Sequence, residues 1–136
     1  MLFVEKRTNR GFCTMSTITP EAGFGPAEWD DFEGAAVTLK TFVYFGESDC
    51  VTAESLVDFR RENGAVRFIP ETISTVFLSS DDGRYMAPER AEEIAREYLP
   101  TGESLSRVVR DEVLDVCKEL IPDAKEYFDF MDSLNF

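Results

Sequence analysis

The hydrophobic period of this chain changes at Pro88, and that change limits the folds open to it. Before Pro88 the clearest pattern has a period of two. In AVTLKTFVYF, residues 36–45, Val37, Leu39, Thr41, Val43 and Phe45 alternate with Thr38, Lys40, Phe42 and Tyr44. Successive side chains of a strand point to opposite faces, so this is a strand with one apolar face. Both faces turn apolar toward its end, so another element is expected to cover the second face there. After Pro88 the period becomes helical. Ala91, Ile94, Ala95 and Tyr98 recur at i, i+3, i+4 and i+7, Pro88 suits a first helical position, and Pro100-Thr101-Gly102 stops the run. In SLSRVVRDEVLDVCKELI, residues 104–121, Leu105, Val109, Val113, Val116, Cys117 and Leu120 lie along one side. Pro122 is expected to break that helix and to open a last one that runs to Leu134.

Four further segments complete the expected order. TAESLVDFRRENG, residues 52–64, reads as a helix: Thr52 caps it, Ala53, Leu56, Val57 and Phe59 form its stripe, and Asn63-Gly64 closes it. AVRFI, residues 65–69, reads as a short strand, and TISTVFL, residues 72–78, as another. SSDDGRYM turns the latter back through Asp82-Gly83, making a hairpin of 73–87. Residues 19–36 are punctuated by Pro20, Gly23, Gly25, Pro26 and Gly34, and read as turns with one helical turn opened by Pro26. Strands and one helix, then a hairpin, then helices, with no repeated βαβ unit, predict an α+β fold. Its sheet is small and mostly antiparallel, with the C-terminal helices packed on one face.

A length of 136 residues fits one domain. Residues 1–14 carry a net charge of +2 and read as a loose N-terminal extension ahead of a single domain over 15–136. LFVE and GFCTMSTIT equally read as paired edge strands, and the residues leave both open. The start has no apolar h-region, and no apolar run approaches the ~18 residues of a membrane helix. Cys13, Cys50 and Cys117 are odd in number and widely spaced, which reads as free thiols in a reducing compartment. The expected location is cytoplasmic.

The chain has no histidine. That removes the commonest general base and metal ligand, and the usual partner of Ser and Cys nucleophiles. There is no G-x-S-x-G and no phosphate-binding G-x-x-x-x-G-K-[ST], and the Asp-Asp pairs at 30–31 and 81–82 lack EF-hand spacing. The expectation is a non-enzyme with no cofactor and no metal.

Charge carries the functional argument. The net charge is −13, and residues 21–54 hold eight acids against Lys40 alone. Such a surface repels nucleic acid and anionic membranes and attracts basic proteins. The densest block is EWDDFE: Glu28, Trp29, Asp30, Asp31, Phe32 and Glu33 interleave carboxylates with aromatics. Aromatics supply contact area, and carboxylates steer and pair with Arg or Lys. These six are the candidate partner-binding residues. The expected function is that of an acidic protein that blocks a basic, nucleic-acid-handling partner, as inhibitors of defence nucleases and nuclease immunity proteins do. The alternatives are an adaptor, chaperone or assembly subunit whose acids serve solubility, or a small carboxylate-based enzyme. The terminal stretch AKEYFDFMDSLNF poses the remaining question. Ala124, Tyr127, Phe128, Met131 and Leu134 fall on one side at helical spacing, which favours intramolecular packing, with Phe130 on the flank.

Overall fold

The computed structural model describes residues 3–9, 12–18, 24–26, 34–45 and 49–134. Its strands are β1 (Phe3–Asn9), β2 (Phe12–Ile18), β3 (Phe24–Pro26), β4 (Gly34–Phe45), β5 (Asp49–Glu62), β6 (Ala65–Ser79) and β7 (Tyr85–Met86). Two helices follow, α1 (Pro88–Ala95) and α2 (Leu105–Ser133). The strands make one sheet in the order β1-β2-β4-β5-β6-β7, with β3 also paired to β4. Every pairing is antiparallel. The fold is α+β, with the C-terminal helices on one face of the sheet.

That face is chosen by alternation. Ala35, Val37, Leu39, Val43 and Phe45 of β4 are buried, as are Val51, Ala53, Val57 and Phe59 of β5. Over them lie Ala91 and Ala95 of α1 and the stripe Leu105, Val109, Val113, Val116, Cys117, Leu120, Ala124 and Phe128 of α2. A polar contact also crosses this core. Glu112 of α2 accepts a hydrogen bond of 2.8 Å from the Thr14 hydroxyl of β2, and both residues are buried.

Four expectations are corrected. Residues 52–64 are no helix but most of β5 and its turn. Val51, Ala53, Ser55, Val57 and Phe59 alternate toward the core, and the serine in the middle hides the period of two. Its hydroxyl is satisfied across the ladder by the Thr75 hydroxyl at 2.8 Å, so a polar residue sits at a core position without penalty. Asn63 (φ 52°) and Gly64 (φ 81°) are both left-handed and join β5 to β6 directly, with Glu62 opposite Ala65. Two positive φ angles in a two-residue loop mark a type I′ hairpin turn, whose twist matches that of the strands.

The second correction joins 65–69 and 72–78 into the single strand β6. Between the pairs Leu56↔Ser74 and Asp58↔Ile69 the register shifts, so residues 70–73 bulge opposite Val57. Pro70 sits in that bulge, where it takes no ladder position. Thr72 closes it: its hydroxyl accepts from the Asp58 amide (3.0 Å) and donates to the Ile69 carbonyl (2.7 Å).

The third concerns Pro122, which does not end a helix but lies inside α2. It is exposed, so the Lys118 carbonyl that loses its partner faces water. Leu120, Ala124 and Phe128 continue the stripe of Val113, Val116 and Cys117 in phase, and their burial offsets the ~3 kcal/mol that an interior proline costs. Phe24–Pro26 is likewise a strand, not a turn, and the helical turn expected to follow Pro26 falls outside the described residues. The other segments follow the pattern read from them. α1 begins at Pro88, and Tyr85–Met86 turns back onto Phe77 and Leu78 through Gly83.

The β5–β6 turn gives a test. Gly64 at φ 81° has no atom within 4 Å of an added Cβ, so substitution there is a purely conformational change. Gly64→Ala is expected to cost about 1–2 kcal/mol in urea unfolding, while Asn63→Gly, which tolerates the same φ freely, costs far less.

Candidate functional site

Glu28, Trp29, Asp30, Asp31, Phe32 and Glu33 lie outside the described residues. Their flanks do not: Pro26 of β3 stands opposite Ala35 of β4, so the segment closes a connection between two paired strands.

Among the described residues the acids concentrate on the helices. Residues 88–102 hold four acids and two bases, and 103–134 hold nine and four. Amphipathicity sorts them. The buried stripe of α2 takes one side, which forces Asp111, Asp115, Glu119, Asp123, Glu126 and Asp129 outward, and all six are exposed. Asp111, Asp115 and Glu119 recur every four residues. At 1.5 Å rise per residue they form a row of carboxylates about 6 Å apart along a rigid rod. Lys118 and Lys125 line one edge of the row, and Lys125 pairs with Asp129 at 3.1 Å. Sequence inspection passed over this row because each acid has a base nearby in the chain. The signal was the i, i+4, i+8 spacing of like charges.

The N-terminus of α2 is closed to an anion. Ser104 accepts from the Arg107 amide at 3.2 Å. Glu92 of α1 reaches across to accept from the Leu105 and Ser106 amides, putting a carboxylate on the positive end of the helix dipole.

A cleft of about 610 Å³ opens between α1 and the β6–β7 turn, lined by Asp49, Cys50, Asp81, Arg90, Glu93 and Glu97 among others. Arg90 pairs with Glu93 at 2.9 Å. At its edge Tyr98 donates to Asp49 at 2.8 Å, and that bond holds the phenol proton and raises its pKa. Among the described residues no group of three or more Cys, Asp or Glu side chains is placed to hold a metal ion, and no helix is long and apolar enough to cross a membrane. Cys50 is half-buried and Cys117 buried, and both are free thiols. The Cys13 side chain lies outside the described residues.

The C-terminal stripe is buried at some positions and exposed at others. Ala124 and Phe128 are buried, and Tyr127 packs on Phe24 at 6.2 Å between ring centroids. Arg61 of β5 clasps this end. Its guanidinium lies 5.1 Å from the Phe128 ring centre and donates twice to Asp132, at 2.6 and 3.0 Å. The guanidinium beside Asp132 holds that carboxyl below its ordinary range. Phe130 and Leu134 are instead about 60% exposed (59% and 60%), one turn apart on the outer side.

Comparison with protein-family models, with curated proteins and with solved structures finds no match.

Two outcomes test this account. Phe128→Ala is expected to destabilise the fold by about 3–5 kcal/mol, while Phe130→Ala changes stability by less than about 0.5 kcal/mol. Thermal or urea unfolding of the pair separates them. Burial pushes the Cys117 thiol up from 9.0 to about 12. The native state thus keeps a proton that the unfolded chain gives up near 9.0, so this group's contribution to stability is intact below that pH and is lost as pH rises toward 12. Native alkylation is expected to label Cys50 and spare Cys117, and Cys117→Val to flatten the alkaline loss of stability.

Proposed function

We propose that this chain is a non-catalytic acidic binding protein that occupies the nucleic-acid-binding surface of a basic protein, as inhibitors of defence nucleases and nuclease immunity proteins do. The observation that carries the reading is the carboxylate row Asp111–Asp115–Glu119 on the outward face of α2. A protein surface built for nucleic acid presents Lys and Arg to a regular line of phosphates. A helix with a carboxylate each turn offers a comparable line on a rigid support, so little conformational freedom is lost on docking. The acidic block Glu28–Glu33 adds charge of the same sign, with Trp29 and Phe32 as apolar anchors. Free thiols and the absence of a long apolar helix among the described residues fit a reducing, cytoplasmic setting for the encounter.

The reading predicts a charge-driven complex. Against a panel of basic nucleases and other nucleic-acid-binding proteins, binding is expected to weaken steeply with added salt and to compete with duplex DNA. The triple reversal Asp111→Lys/Asp115→Lys/Glu119→Lys is expected to slow association by about tenfold or more, with little change in the folded state. The reversal Asp30→Lys/Asp31→Lys/Glu33→Lys is expected to act in the same direction. Stopped-flow or surface-based kinetics over a salt series measures both. Affinity and on-rate untouched by either reversal would sink the electrostatic account, and salt-independent binding would favour an adaptor or assembly role.

A further inference from the structure

The helices cover one face of the sheet, and among the described residues no element lies over the other. We infer that this second face, centred on β4, β5 and β6, is where two copies of this chain associate. The inference stands apart from the proposed function and uses the opposite side of the molecule.

The face carries an apolar patch where an open sheet face should be polar. Phe42 and Tyr44 of β4 stack there with ring centroids 6.5 Å apart and planes 26° apart. Val76 of β6 and Tyr85 of β7 join them by register, through Val76↔Glu54 and Tyr85↔Leu78. Tyr44 is 39% exposed, Val76 40% and Tyr85 67%. Solvated antiparallel sheets alternate apolar with polar residues, and an apolar patch on the polar side marks a surface meant to be covered.

Charge identifies the occupant. The positions of β4, β5 and β6 that share this face carry Lys40, Arg60 and Arg67 against Glu54, Glu62 and the buried Asp58, so charge there is close to balanced. A chain of net charge −13 repels its own copies over most of its surface. Here it does not. A basic partner gains nothing from a balanced face, whereas a second copy finds one that is self-complementary. Lys40 and Glu54 are direct cross-strand neighbours at its centre. A two-fold axis along the strands, between β4 and β5, sets each Lys40 against the partner's Glu54 and each Glu54 against the partner's Lys40. Such reciprocity is the signature of an isologous contact. The sheets would stack about 10 Å apart, with the acidic helices of both copies turned outward, where their repulsion is weakest.

Sedimentation equilibrium of the full chain tests this. The wild type is expected to dimerise at concentrations up to about 100 µM, and added salt is expected to tighten the dimer by screening the repulsion between two anions. That salt response is opposite in sign to the one expected of a complex with a basic protein, so the two proposals fail separately. Tyr44→Lys/Val76→Lys is expected to weaken dimerisation by about tenfold or more, with circular dichroism unchanged. Should that variant unfold, the charge pair still decides. Lys40→Glu alone sets like charges face to face and weakens the dimer, and Lys40→Glu/Glu54→Lys restores it. A monomeric wild type at about 100 µM overturns the inference. So does a dimer that ignores the Lys40→Glu change, or one that is lost instead on reversing Asp111, Asp115 and Glu119.

Discussion

Everything in this molecule depends on one burial: the apolar stripe of α2 laid across the inner face of the sheet. Eight residues of that helix, from Leu105 to Phe128, are buried hydrophobics in the same core as Val37, Leu39, Val43, Val57 and Phe59. The strands alone could not hold this sheet together, because an uncovered antiparallel sheet leaves its apolar face in water. The helix alone would be marginal, since most helical stability in a protein comes from its packed face. Each end of α2 is fastened separately. Glu92 and Ser104 satisfy its first amides, and Arg61 holds Asp132 and lies over Phe128 at the far end. The exposed Arg61–Asp132 pair contributes little energy by itself. Its effect is to fix the orientation of a ring whose burial contributes much more.

The same burial explains which parts of the fold were legible in the sequence. β4, α1 and the first half of α2 were readable because the apolar positions of their buried side recur at a single period. Residues 52–64 were not, because Ala53, Leu56, Val57 and Phe59 satisfy a helical spacing and a strand spacing at once. Ser55 was the residue that should have been apolar in a strand, and it is buried with a hydroxyl partner on β6, Thr75. A hydroxyl satisfied across a ladder is invisible to hydrophobic counting. The decisive local signal was Asn63-Gly64, which serves a helix end and a hairpin turn equally well. Only the pairing of β5 with β6 settles which.

The prolines show the opposite failure. Pro70 and Pro122 both look like terminators, and both lie inside long elements. Each occupies the one place where its missing amide does no harm: a bulge that Thr72 closes with its side chain, and a solvent-facing turn of helix. A local rule gave way because the packing on either side of each proline is in phase. For the candidate site, the sequence supplied the sign and density of charge but not its placement. Charge along a chain becomes a surface only after the fold has decided which way each helix turns.

That decision separates the molecule into two sides with different electrostatics. The covering helices must turn their polar faces outward, so the acids in their sequence become one acidic face. The strands must alternate, so their charges are split between two faces, and on the outer one Lys40 and Glu54 are opposite charges on neighbouring strands, while Arg60 stands opposite Arg67. One side is therefore strongly acidic and the other is close to balanced. The balanced side has only short-range contact to offer, through Phe42, Tyr44, Val76 and Tyr85. Long-range attraction sets how fast a partner arrives, while desolvated apolar contact sets how long it stays. On the two proposals made above, a second copy sits on one side and the whole carboxylate row of the other stays open to a basic partner. Paired in this way, two copies would present two such rows facing away from each other, each reached without disturbing the contact between them.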